Sequence, residues 1–301
     1  MALLKLKQTG IDIREAFPLA QVTFTETGGP AEYAAFPKNI TELKQLLAAA
    51  AQDQLPLTVI GNASNLIIKD GGIAGLVLIL TKMAAIKVAG PRVTAQAGAK
   101  IIDTAFTAAE HGLSKLEFAA GIPGSIGGGV FMNAGAYGGE MQDCLEAVTV
   151  ITQAGKLKVY DNHDMQFSYR HSLVQDTKEI VVAATFLLVP GDKARILADM
   201  TYLNALRKYK QPLEYPSCGS VFKRPTGHFV GPMIISAGLQ GKQVGGAQDS
   251  MKHAGFIVNK GGATATDYLR LILLIQQTIA QKYHLSLQTE VRIIGQDKGK
   301  E

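Results

Sequence analysis

The chain has 301 residues, which is long enough for two domains, each with its own hydrophobic core. Apolar residues make up 47% of it and charged residues 18%, a balance typical of globular proteins that excludes a disordered chain. The formal net charge of +5 is spread along the sequence. Because a nucleic-acid footprint would be a concentrated basic stripe, we expect no nucleic-acid partner.

The sequence gives no sign of export, membrane insertion or metal binding. The first residues, MALLKLKQTGIDI, lack the sustained apolar segment of a signal peptide. No apolar run approaches the ~18 residues needed to span a bilayer, so we expect a cytoplasmic protein with no membrane association. Cys144 and Cys218 form no C-x-x-C motif, and the six histidines show no metal-ligand spacing, so we expect no disulfide framework and no metal.

The first third of the chain has the order of a β-α-β unit. Strands are predicted at residues 22–24 and 32–36. Asn39 can cap a helix, since Glu42 follows three residues later and leucines then recur at helical spacing. Further strands are predicted at 57–60, 66–69 and 76–80, with a tight polar turn at 61–65.

Short strands dominate the middle of the chain. They are predicted near Val88 and at 93–97, 147–152, 156–160 and 180–189, with a helix at 100–111. The last of these strands is apolar throughout, as expected for a central buried strand. Pro190-Gly191-Asp192 is the predicted domain boundary.

The C-terminal third mixes helices and strands. Helices are predicted at 194–208 and 266–283, an apolar segment at 232–237, and strands at 220–223, 255–259 and 288–294. The predicted apolar face of the second helix carries Leu269, Ile272, Leu273, Gln276 and Ile279.

Residues 117–140, EFAAGIPGSIGGGVFMNAGAYGGE, form what we call the Gly-rich stretch. Its eight glycines can adopt positive φ and approach a ligand closely. Successive exposed amides in such a segment bind anions without any basic side chain. Apolar residues between the glycines indicate burial, so the stretch favours a backbone wrapped around a large phosphate-bearing ligand. A tight series of turns in a β-rich core is the alternative. The Rossmann and P-loop glycine motifs are both missing from the sequence.

Residue for residue, the Gly-rich stretch resembles the G-I-P-G-x-x-G-G-x-x-x-M-N-A-G-A-Y-G flavin loop of the UDP-N-acetylenolpyruvoylglucosamine reductase family. The resemblance implies an α+β fold: a two-lobed FAD-binding domain of the PCMH/vanillyl-alcohol-oxidase type plus a C-terminal α+β substrate-binding domain. We expect residues 1–191 to form the first, in lobes of about 1–80 and 81–191, and residues 192–301 to form the second. The lack of a long extra segment before the P-x-x-G-S motif is similar to the family's shorter, second type.

A second segment, GNASNLIIK at 61–69, resembles the family's first flavin loop, usually G-x-G-S-N-L. Ala63 stands where glycine is common, and a residue this small should still fit. Related flavoproteins that attach FAD covalently use a His in this loop, and none stands here, so we expect non-covalent FAD. The cofactor-binding residues implied by the resemblance are Gly61, Asn62, Ala63, Ser64, Asn65, Leu66, Gly121, Ile122, Pro123, Gly124, Ser125, Gly127, Gly128, Asn133, Ala134 and Gly135.

Three further motifs imply catalytic residues by the same resemblance. Y-R-x-S places Arg170, whose planar fork matches a carboxylate, beside the substrate's enolpyruvyl group. P-x-x-G-S-x-F-K places the proton donor at Ser220, and E-V-R places Glu290 in the active site. Residues two apart in a strand share a face, so Glu290 and Arg292 are expected to point the same way. Taken alone, the three motifs are also compatible with a surface ion pair, a turn serine and an amphipathic edge strand.

Cys218 is a rival to Ser220 on general grounds, because thiols ionise nearer neutrality. Its position in the family motif is variable, so we treat it as a neighbour. The substrate-binding residues, implied less directly, are Tyr169, Tyr209, Lys223, Arg224 and Arg292. The expected partners are NADPH and a small UDP-sugar substrate, and the expected form is a monomer.

The implied enzyme is a UDP-N-acetylmuramate dehydrogenase that works in two steps. NADPH reduces FAD, and the enolpyruvyl substrate then receives hydride at C3 and a proton from Ser220 at C2. Two other classes stay open. A flavin oxidase of alcohols or hydroxy acids on this scaffold would be reoxidised rapidly by oxygen. A non-catalytic nucleotide-binding module would be colourless and would not take up FAD.

Overall fold

The structure, a computed structural model, describes residues 9–299, so residues 1–8 of the segment searched for a signal peptide lie outside the described residues. In chain order the strands are β1 (Ile13–Pro18), β2 (Pro30–Ala35), β3 (Leu57–Ile60), β4 (Leu66–Ile68), β5 (Ile73–Ile79), β6 (Ile86–Ala89), β7 (Arg92–Gln96), β8 (Leu113–Ser114), β9 (Gly135–Ala136), β10 (Gly139–Glu140), β11 (Leu145–Ile151), β12 (Leu157–Asp161), β13 (Ile180–Leu187), β14 (Val189–Pro190), β15 (Ser217–Ser220), β16 (Gln243–Val244), β17 (Ala247–Asp249), β18 (Phe256–Asn259) and β19 (Arg292–Ile294). The α-helices are α1 (Ile40–Gln52), α2 (Ile101–Glu110), α3 (Ile126–Phe131), α4 (Val174–Thr177), α5 (Lys193–Lys210), α6 (Val230–Ser236) and α7 (Ala265–Tyr283).

The chain folds into two compact units, each built from separate stretches of sequence. Unit 1 consists of the residues up to Glu15, Tyr33–Asn62 and Gly75–Arg207. Unit 2 consists of Ala16–Glu32, Ala63–Ala74 and the residues from Lys208 onward. The chain therefore passes from unit 1 to unit 2 within the segment predicted to be the first flavin loop, between Asn62 and Ala63. The division into domains at residues 191 and 192 stays a prediction.

A five-stranded antiparallel sheet in the order β12–β11–β13–β7–β6 forms the middle of unit 1. Its central strand, β13, is the apolar run that the sequence predicts as a buried strand. Phe186 pairs with Val93 on one side and with Leu145 on the other, and its side chain is fully buried. The central position explains why nearly every residue of β13 is apolar.

Unit 1 also holds most of a second sheet, in the order β1–β2–β5–β3, in which β3 and β5 run parallel. The helix between β2 and β3, α1, begins as predicted. The Asn39 side chain accepts a hydrogen bond from the Glu42 amide at 2.9 Å, and the Glu42 carboxylate accepts one from the Lys38 amide at 2.8 Å. A cap of this kind stabilises a helix by about 1 kcal/mol. The buried face of α1 carries Leu43, Leu46, Leu47, Ala49 and Ala50.

Unit 2 packs a four-stranded antiparallel sheet, β15–β18–β17–β16, with α7. Thr264 and Asp267 form a reciprocal capping box at the start of α7, which confirms the predicted helix. Its buried face is rotated from the predicted one, and Leu273 is 52% exposed. The buried residues of α7 are Ala265, Tyr268, Leu271, Ile272, Ile275 and Ile279.

A two-stranded parallel sheet pairs β4 with β19 in unit 2, with Leu66 opposite Arg292 and Ile68 opposite Ile294. It pairs two segments that lie more than 200 residues apart in the sequence. Ile67 is fully buried in the hydrophobic core of unit 2, so this small sheet is part of that core.

The strands predicted at 22–24 and 220–223 differ in the structure. Residues 22–24 form turns, because the Thr23 hydroxyl donates to the Thr27 carbonyl at 2.8 Å, a local bond that competes with strand pairing. The strand predicted at 220–223 lies earlier, at Ser217–Ser220. In the described part of the chain, every helix is too short or too polar to cross a membrane.

Candidate active site

The Gly-rich stretch contains a short helix, α3, where the sequence predicts a buried loop. Its three consecutive glycines lie in α3, and the Ser125 side chain caps that helix by accepting a hydrogen bond from the Gly128 amide. Of the eight glycines only Gly138 has a positive φ, of 88°. The expectation that these glycines supply positive φ is therefore wrong for the other seven.

Most of these glycines are instead needed because they lack a Cβ atom. A Cβ at Gly129 would lie 2.9 Å from Ile101 Cδ1 and Met141 Cε, and one at Gly127 would lie 3.0 Å from Ala97 Cβ. One at Gly135 would lie 2.6 Å from the Gly139 carbonyl oxygen. The stretch is thus closely packed against its own unit.

The first flavin segment meets the Gly-rich stretch within unit 1. A Cβ at Gly61 would collide with Ser125 Oγ. The Asn62 side-chain amide donates to the Pro123 carbonyl at 2.6 Å, and the Asn62 backbone amide lies 3.4 Å from Ser125 Oγ. The structure therefore brings together the predicted cofactor residues Gly61, Asn62, Gly121, Ile122, Pro123, Gly124, Ser125, Gly127 and Gly128.

This part of unit 1 fits a cofactor with polar oxygen atoms. Gly124 and Ser125 are buried, and within residues 9–299 their backbone amides donate to no protein acceptor. Buried amides without a partner are rare in native proteins and call for a ligand or water. Residues 121–135 carry no charged side chain, so the backbone supplies the donors, as expected for a site that binds FAD phosphates through amides.

The other predicted cofactor residues of the first flavin segment belong to unit 2; they are Ala63, Ser64, Asn65 and Leu66. Ala63 is buried and has a φ of 48°, in the left-handed region. Such a conformation costs an L-residue roughly 1–2 kcal/mol but costs glycine nothing. The structure thus gives a physical reason for the glycine that family members commonly have at this position.

Arg170 lies at the tip of a tight turn in unit 1. Ser168 and His171 exchange backbone hydrogen bonds of 3.2 and 3.0 Å, and Arg170 has a φ of 58°. Its guanidinium donates to the Gly135 carbonyl at 3.3 Å and lies 5.0 Å from the ring centroid of Tyr169. The predicted carboxylate-binding arginine thus contacts the predicted flavin loop directly.

Two buried side chains attach this turn to the Gly-rich stretch. Asn133 donates to the Ser168 carbonyl at 3.2 Å and accepts from the Gln142 amide at 3.1 Å. Ser172 donates to the Phe131 carbonyl at 2.8 Å. The bond between Asn133 and Ser168, 35 residues apart, and the bond of Ser172 therefore join the M-N-A-G and Y-R-x-S segments into one hydrogen-bonded structure.

Ser220 follows a bulge in β15. Ser217 pairs with Val258 and Ser220 with Phe256, so the β15 strand has one extra residue between the two pairs. Gly219 within the bulge has a φ of 77°, and nothing would contact a Cβ there. A glycine in the left-handed region is the usual solution for such a bulge. The bulge leaves the Ser220 side chain exposed.

Glu290 lies beside the Ser220 segment in unit 2. Its backbone amide donates to the Val221 carbonyl at 2.7 Å, and its carbonyl accepts from the Asn65 side chain at 3.2 Å. Glu290 is in a bend and β19 begins only at Arg292, so the predicted continuous strand from 288 to 294 is wrong. Residues 288–290 bond to the Val221–Lys223 backbone, whereas β19 pairs with β4. This change of partner removes the basis for placing Glu290 and Arg292 on one strand face.

Cys218 does not behave as a reactive thiol. It is 3% exposed, and burial raises its pKa to about 12. A thiol with so high a pKa is neither a good acid nor a thiolate at neutral pH. The structure supports treating Cys218 as a buried neighbour of Ser220.

The predicted substrate residues lie mainly at exposed positions. Tyr169 and Tyr209 are 49% and 80% exposed, and Arg224 stacks on the Phe229 ring at 3.8 Å. Lys223 is half-buried, and Arg292 is exposed.

Arg170 belongs to unit 1, whereas Ser220 and Glu290 belong to unit 2. The structure thus brings the Ser220 segment together with Glu290, and Arg170 with the Gly-rich stretch. The sequence interpretation missed Arg207, against which a Cβ at Gly121 would collide, and Gln175 beside the Arg170 turn. Neither residue stands in a motif that could have revealed it.

One group of potential metal ligands lies away from these residues. Exposed Asp161, His163 and Asp164 have ligand atoms within 4.8 Å of one another. Asp161 accepts a hydrogen bond from the Asp164 amide at 2.8 Å, as turn residues commonly do. The absence of a metal stays a prediction.

Known protein families match two separate parts of the chain. Residues 31–160 match the model of an FAD binding domain, and residues 211–294 match the model of the UDP-N-acetylenolpyruvoylglucosamine reductase C-terminal domain. UDP-N-acetylenolpyruvoylglucosamine reductase of Lactobacillus helveticus is 70% identical over 298 residues, covering 99% of this chain and 100% of the relative.

Solved structures give the same result. UDP-N-acetylenolpyruvylglucosamine reductase from Thermus caldophilus is 34% identical with a TM-score of 0.81, covering 94% of this chain and 98% of that structure. BBE-like 1 of Physcomitrella patens shares the fold alone, at 16% identity and a TM-score of 0.52 over 63% of this chain and 44% of its own. The α+β fold class predicted from the resemblance, with its FAD-binding and C-terminal parts, is confirmed. The chain therefore belongs to the UDP-N-acetylenolpyruvoylglucosamine reductase family of FAD-dependent oxidoreductases.

Proposed function

We propose that this protein reduces UDP-N-acetylglucosamine enolpyruvate to UDP-N-acetylmuramate, with NADPH as the source of hydride, in the synthesis of peptidoglycan precursors. The observation that carries the proposal is the hydrogen bond from the Arg170 guanidinium to the Gly135 carbonyl at 3.3 Å. It ties a carboxylate-binding group to the loop predicted to bind the flavin, and hydride transfer from flavin to an enolpyruvyl group needs the two side by side.

FAD, when bound, supplies the hydride chemistry between NADPH and the vinyl ether of the substrate. The backbone of the Gly-rich stretch, with the buried amides of Gly124 and Ser125, would hold it without covalent attachment. Asn62 stabilises that backbone through its bond to Pro123. FAD binding by residues 1–191 and substrate binding by residues 192–301 are part of the proposal.

Arg170 meets the main electrostatic demand of the reaction. Addition of hydride at C3 leaves negative charge at C2, which the neighbouring carboxylate shares. A cation at ~4 Å contributes about 4 kcal/mol at an effective dielectric constant near 20, enough for roughly three decades in rate. The left-handed turn presents Arg170 with its backbone already fixed, so little reorganisation is needed when the substrate binds.

Ser220 would then protonate C2. Its hydroxyl is exposed at the bulge of β15, and Glu290 lies on the segment bonded to Val221. Glu290 would orient the substrate carboxylate or polarise the serine. A positioned proton donor of this kind accelerates a reaction by roughly 10²–10⁴.

The substrate's remaining groups need binding residues of their own. The candidates for binding its sugar and diphosphate are Tyr169, Tyr209, Lys223, Arg224 and Arg292. Exposed aromatic and cationic side chains suit a uridine diphosphate, because they offer stacking and charge together. The proposed enzyme is monomeric and cytoplasmic.

The test separates the two half-reactions. Ser220→Ala should bind FAD, remain yellow and be bleached by NADPH, but should fail to be reoxidised by the enolpyruvyl substrate. Ser217→Ala, on the same strand before the bulge, is the matched control and should complete both steps. Loss of flavin reduction in Ser220→Ala would overturn the proton-donor role, and rapid reoxidation of the reduced wild-type flavin by oxygen would favour an oxidase.

A further inference from the structure

The backbone at Arg170 is strained, and something must stabilise it. Arg170 is not a glycine, yet its φ is 58° at the tip of the Ser168–His171 turn. Left-handed conformations at such residues persist only where the surroundings determine them, and they cluster at functional sites. The contacts of this turn therefore show what sets the position of its guanidinium.

The side chain of Gln175 bonds to the backbone of Arg170 itself. Gln175 Nε2 donates to the Arg170 carbonyl at 3.1 Å and to the Phe131 carbonyl at 2.7 Å. The first bond fixes the peptide plane that follows Arg170, which is the plane that a relaxation of the turn would rotate. The second bond reaches the last residue of α3, whose carbonyl has no partner within its own helix.

One carboxamide thus uses both of its N–H groups to join the turn to the Gly-rich stretch. The other attachments work at different points. Asn133 bonds to Ser168 at the start of the turn, and Ser172 bonds to Phe131 after it. The contact from Gln175 falls on the strained residue.

We propose that Gln175 is a positioning residue that keeps Arg170 in its left-handed conformation and so directs the guanidinium along the Gly-rich stretch. The inference rests on the proposed function, because it assumes that Arg170 stabilises charge on the substrate. Gln175 would touch neither flavin nor substrate. It acts on the second half-reaction through Arg170.

The experiment uses the purified FAD-loaded protein with Gln175→Met, a side chain of similar length that has no donor. Flavin reduction by NADPH should be unchanged. Reoxidation by UDP-N-acetylglucosamine enolpyruvate should slow about tenfold, since one well-placed hydrogen bond no longer holds the turn. Gln175→Lys should restore the rate, because an ammonium group can donate to both carbonyls.

Gln276→Met is the matched control. Gln276 is half-buried like Gln175, and its Nε2 donates to the Leu287 carbonyl at 2.8 Å in unit 2. It should lose comparable thermal stability while both half-reactions proceed at the wild-type rate. Slower reoxidation in this control, or slower flavin reduction in Gln175→Met, would show a general structural role and overturn the inference.

Arg170→Ala separates the inference from the proposed function. Slow reoxidation in Arg170→Ala together with a wild-type rate in Gln175→Met overturns the role of Gln175 alone. A wild-type rate in Arg170→Ala overturns the proposed role of the arginine itself. Adding Gln175→Met to Arg170→Ala should cause no further slowing.

Should Gln175→Met fail to fold, Gln175→Asn provides a second variant. It keeps the amide but is too short to reach both carbonyls, so it should slow reoxidation in the same way.

Discussion

In the Gly-rich stretch of unit 1, a methyl group at Gly129 or Gly135 would meet neighbouring atoms at 2.6–2.9 Å, yet neither residue has a positive φ. In the β15 bulge of unit 2 the situation is reversed: Gly219 has a φ of 77° and open space around it. One region needs glycine for its volume and the other for its backbone conformation. The two regions should therefore respond differently to the same substitution.

The largest difference is expected within the Gly-rich stretch itself. Gly135→Ala places a Cβ 2.6 Å from a backbone oxygen, and overpacking of this kind costs about 3 kcal/mol when backbone must move. Gly138→Ala, in the same hairpin, meets nothing within 4 Å and should cost only about 1 kcal/mol for its φ of 88°. Thermal unfolding and FAD content measure both effects. Equal losses would contradict the distinction between volume and conformation.

The two regions should also differ in their response to pH. In unit 2 the Val221 amide donates to the Gly255 carbonyl, and the Gly255 amide donates to Asp249 Oδ1, each at 2.9 Å. Burial raises the pKa of Asp249 to about 7 from an ordinary value of 3.8. In unit 1 the side chains of Asn133, Ser172 and Gln175, which attach the Arg170 turn to the Gly-rich stretch, are neutral. His171 of that turn lies 3.3 Å from the exposed Asp176 carboxylate.

Because the folded-state pKa of Asp249 is the higher one, the folded protein binds more protons than the unfolded chain between about pH 4 and pH 7. Across that window Asp249 should lower the free energy of unfolding by about 1.4 kcal/mol per unit rise in pH. Asp249→Asn should remove this slope, whereas Asp199→Asn, at an exposed position, should not. Denaturant unfolding at several pH values gives the measurement, and identical slopes for both variants would disprove the assignment.

Gly219 offers a test of conformation without steric conflict. Gly219→Ala should cost about 1 kcal/mol, because alanine is unfavourable at a φ of 77°. Gly219→Asn should recover most of that loss, since asparagine tolerates the left-handed region. Both free energies come from denaturant unfolding. If asparagine were no better than alanine, the bulge would need glycine for another reason.

The two asparagines of the first flavin segment should have separate effects. Asn62 bonds to Pro123 in unit 1, and Asn65 bonds to the Glu290 carbonyl in unit 2. Asn62→Ala should weaken FAD binding about threefold, and Asn65→Ala should slow reoxidation by substrate about threefold, as expected for single neutral hydrogen bonds. Flavin titration and stopped-flow measurements on both variants test this, and each serves as the other's control.

The smallest change is expected at Ala63. Its φ of 48° is relieved in Ala63→Gly, but the added glycine also increases the entropy of the unfolded chain by a comparable amount. The free energy of unfolding should therefore stay within about 0.5 kcal/mol of the wild-type value. A loss above 1 kcal/mol would mean that the Ala63 methyl group contributes packing that outweighs its strain.

Local signals in the sequence predicted much of this fold. Asn39 and Glu42 marked the start of α1, and the apolar run in β13 indicated a central strand, because both depend on neighbouring residues only. The family motifs located the Gly-rich stretch and the Ser220 segment. The steric role of the glycines could not be predicted from local sequence. It depends on Ile101, Met141 and Gly139, which tertiary packing places against Gly129 and Gly135.

The predicted strand through Glu290 was wrong for a related reason. Residues 290–293 alternate between charged and apolar side chains as a strand should. Residues 288–290, however, bond to the Val221–Lys223 backbone, whereas residues 292–294 pair with β4. A change of partner leaves no mark on the periodicity of the segment. The sequence also carried no signal for Gln175, because its proposed role depends on the left-handed backbone of Arg170, five positions earlier.

The parallel pairing of β4 with β19 also bears on how the chain is made. Leu66 leaves the ribosome more than 200 residues before Arg292, its partner in the sheet. At about 5–20 residues per second, β4 remains without its partner strand for roughly 10–45 s. During this interval three consecutive aliphatic residues, Leu66, Ile67 and Ile68, are available to other nascent chains. Unit 1 has all of its segments once Arg207 is synthesised. Slow translation between residues 207 and 294 should therefore favour aggregation through unit 2, and holdase chaperones that recognise short aliphatic strands should suppress it.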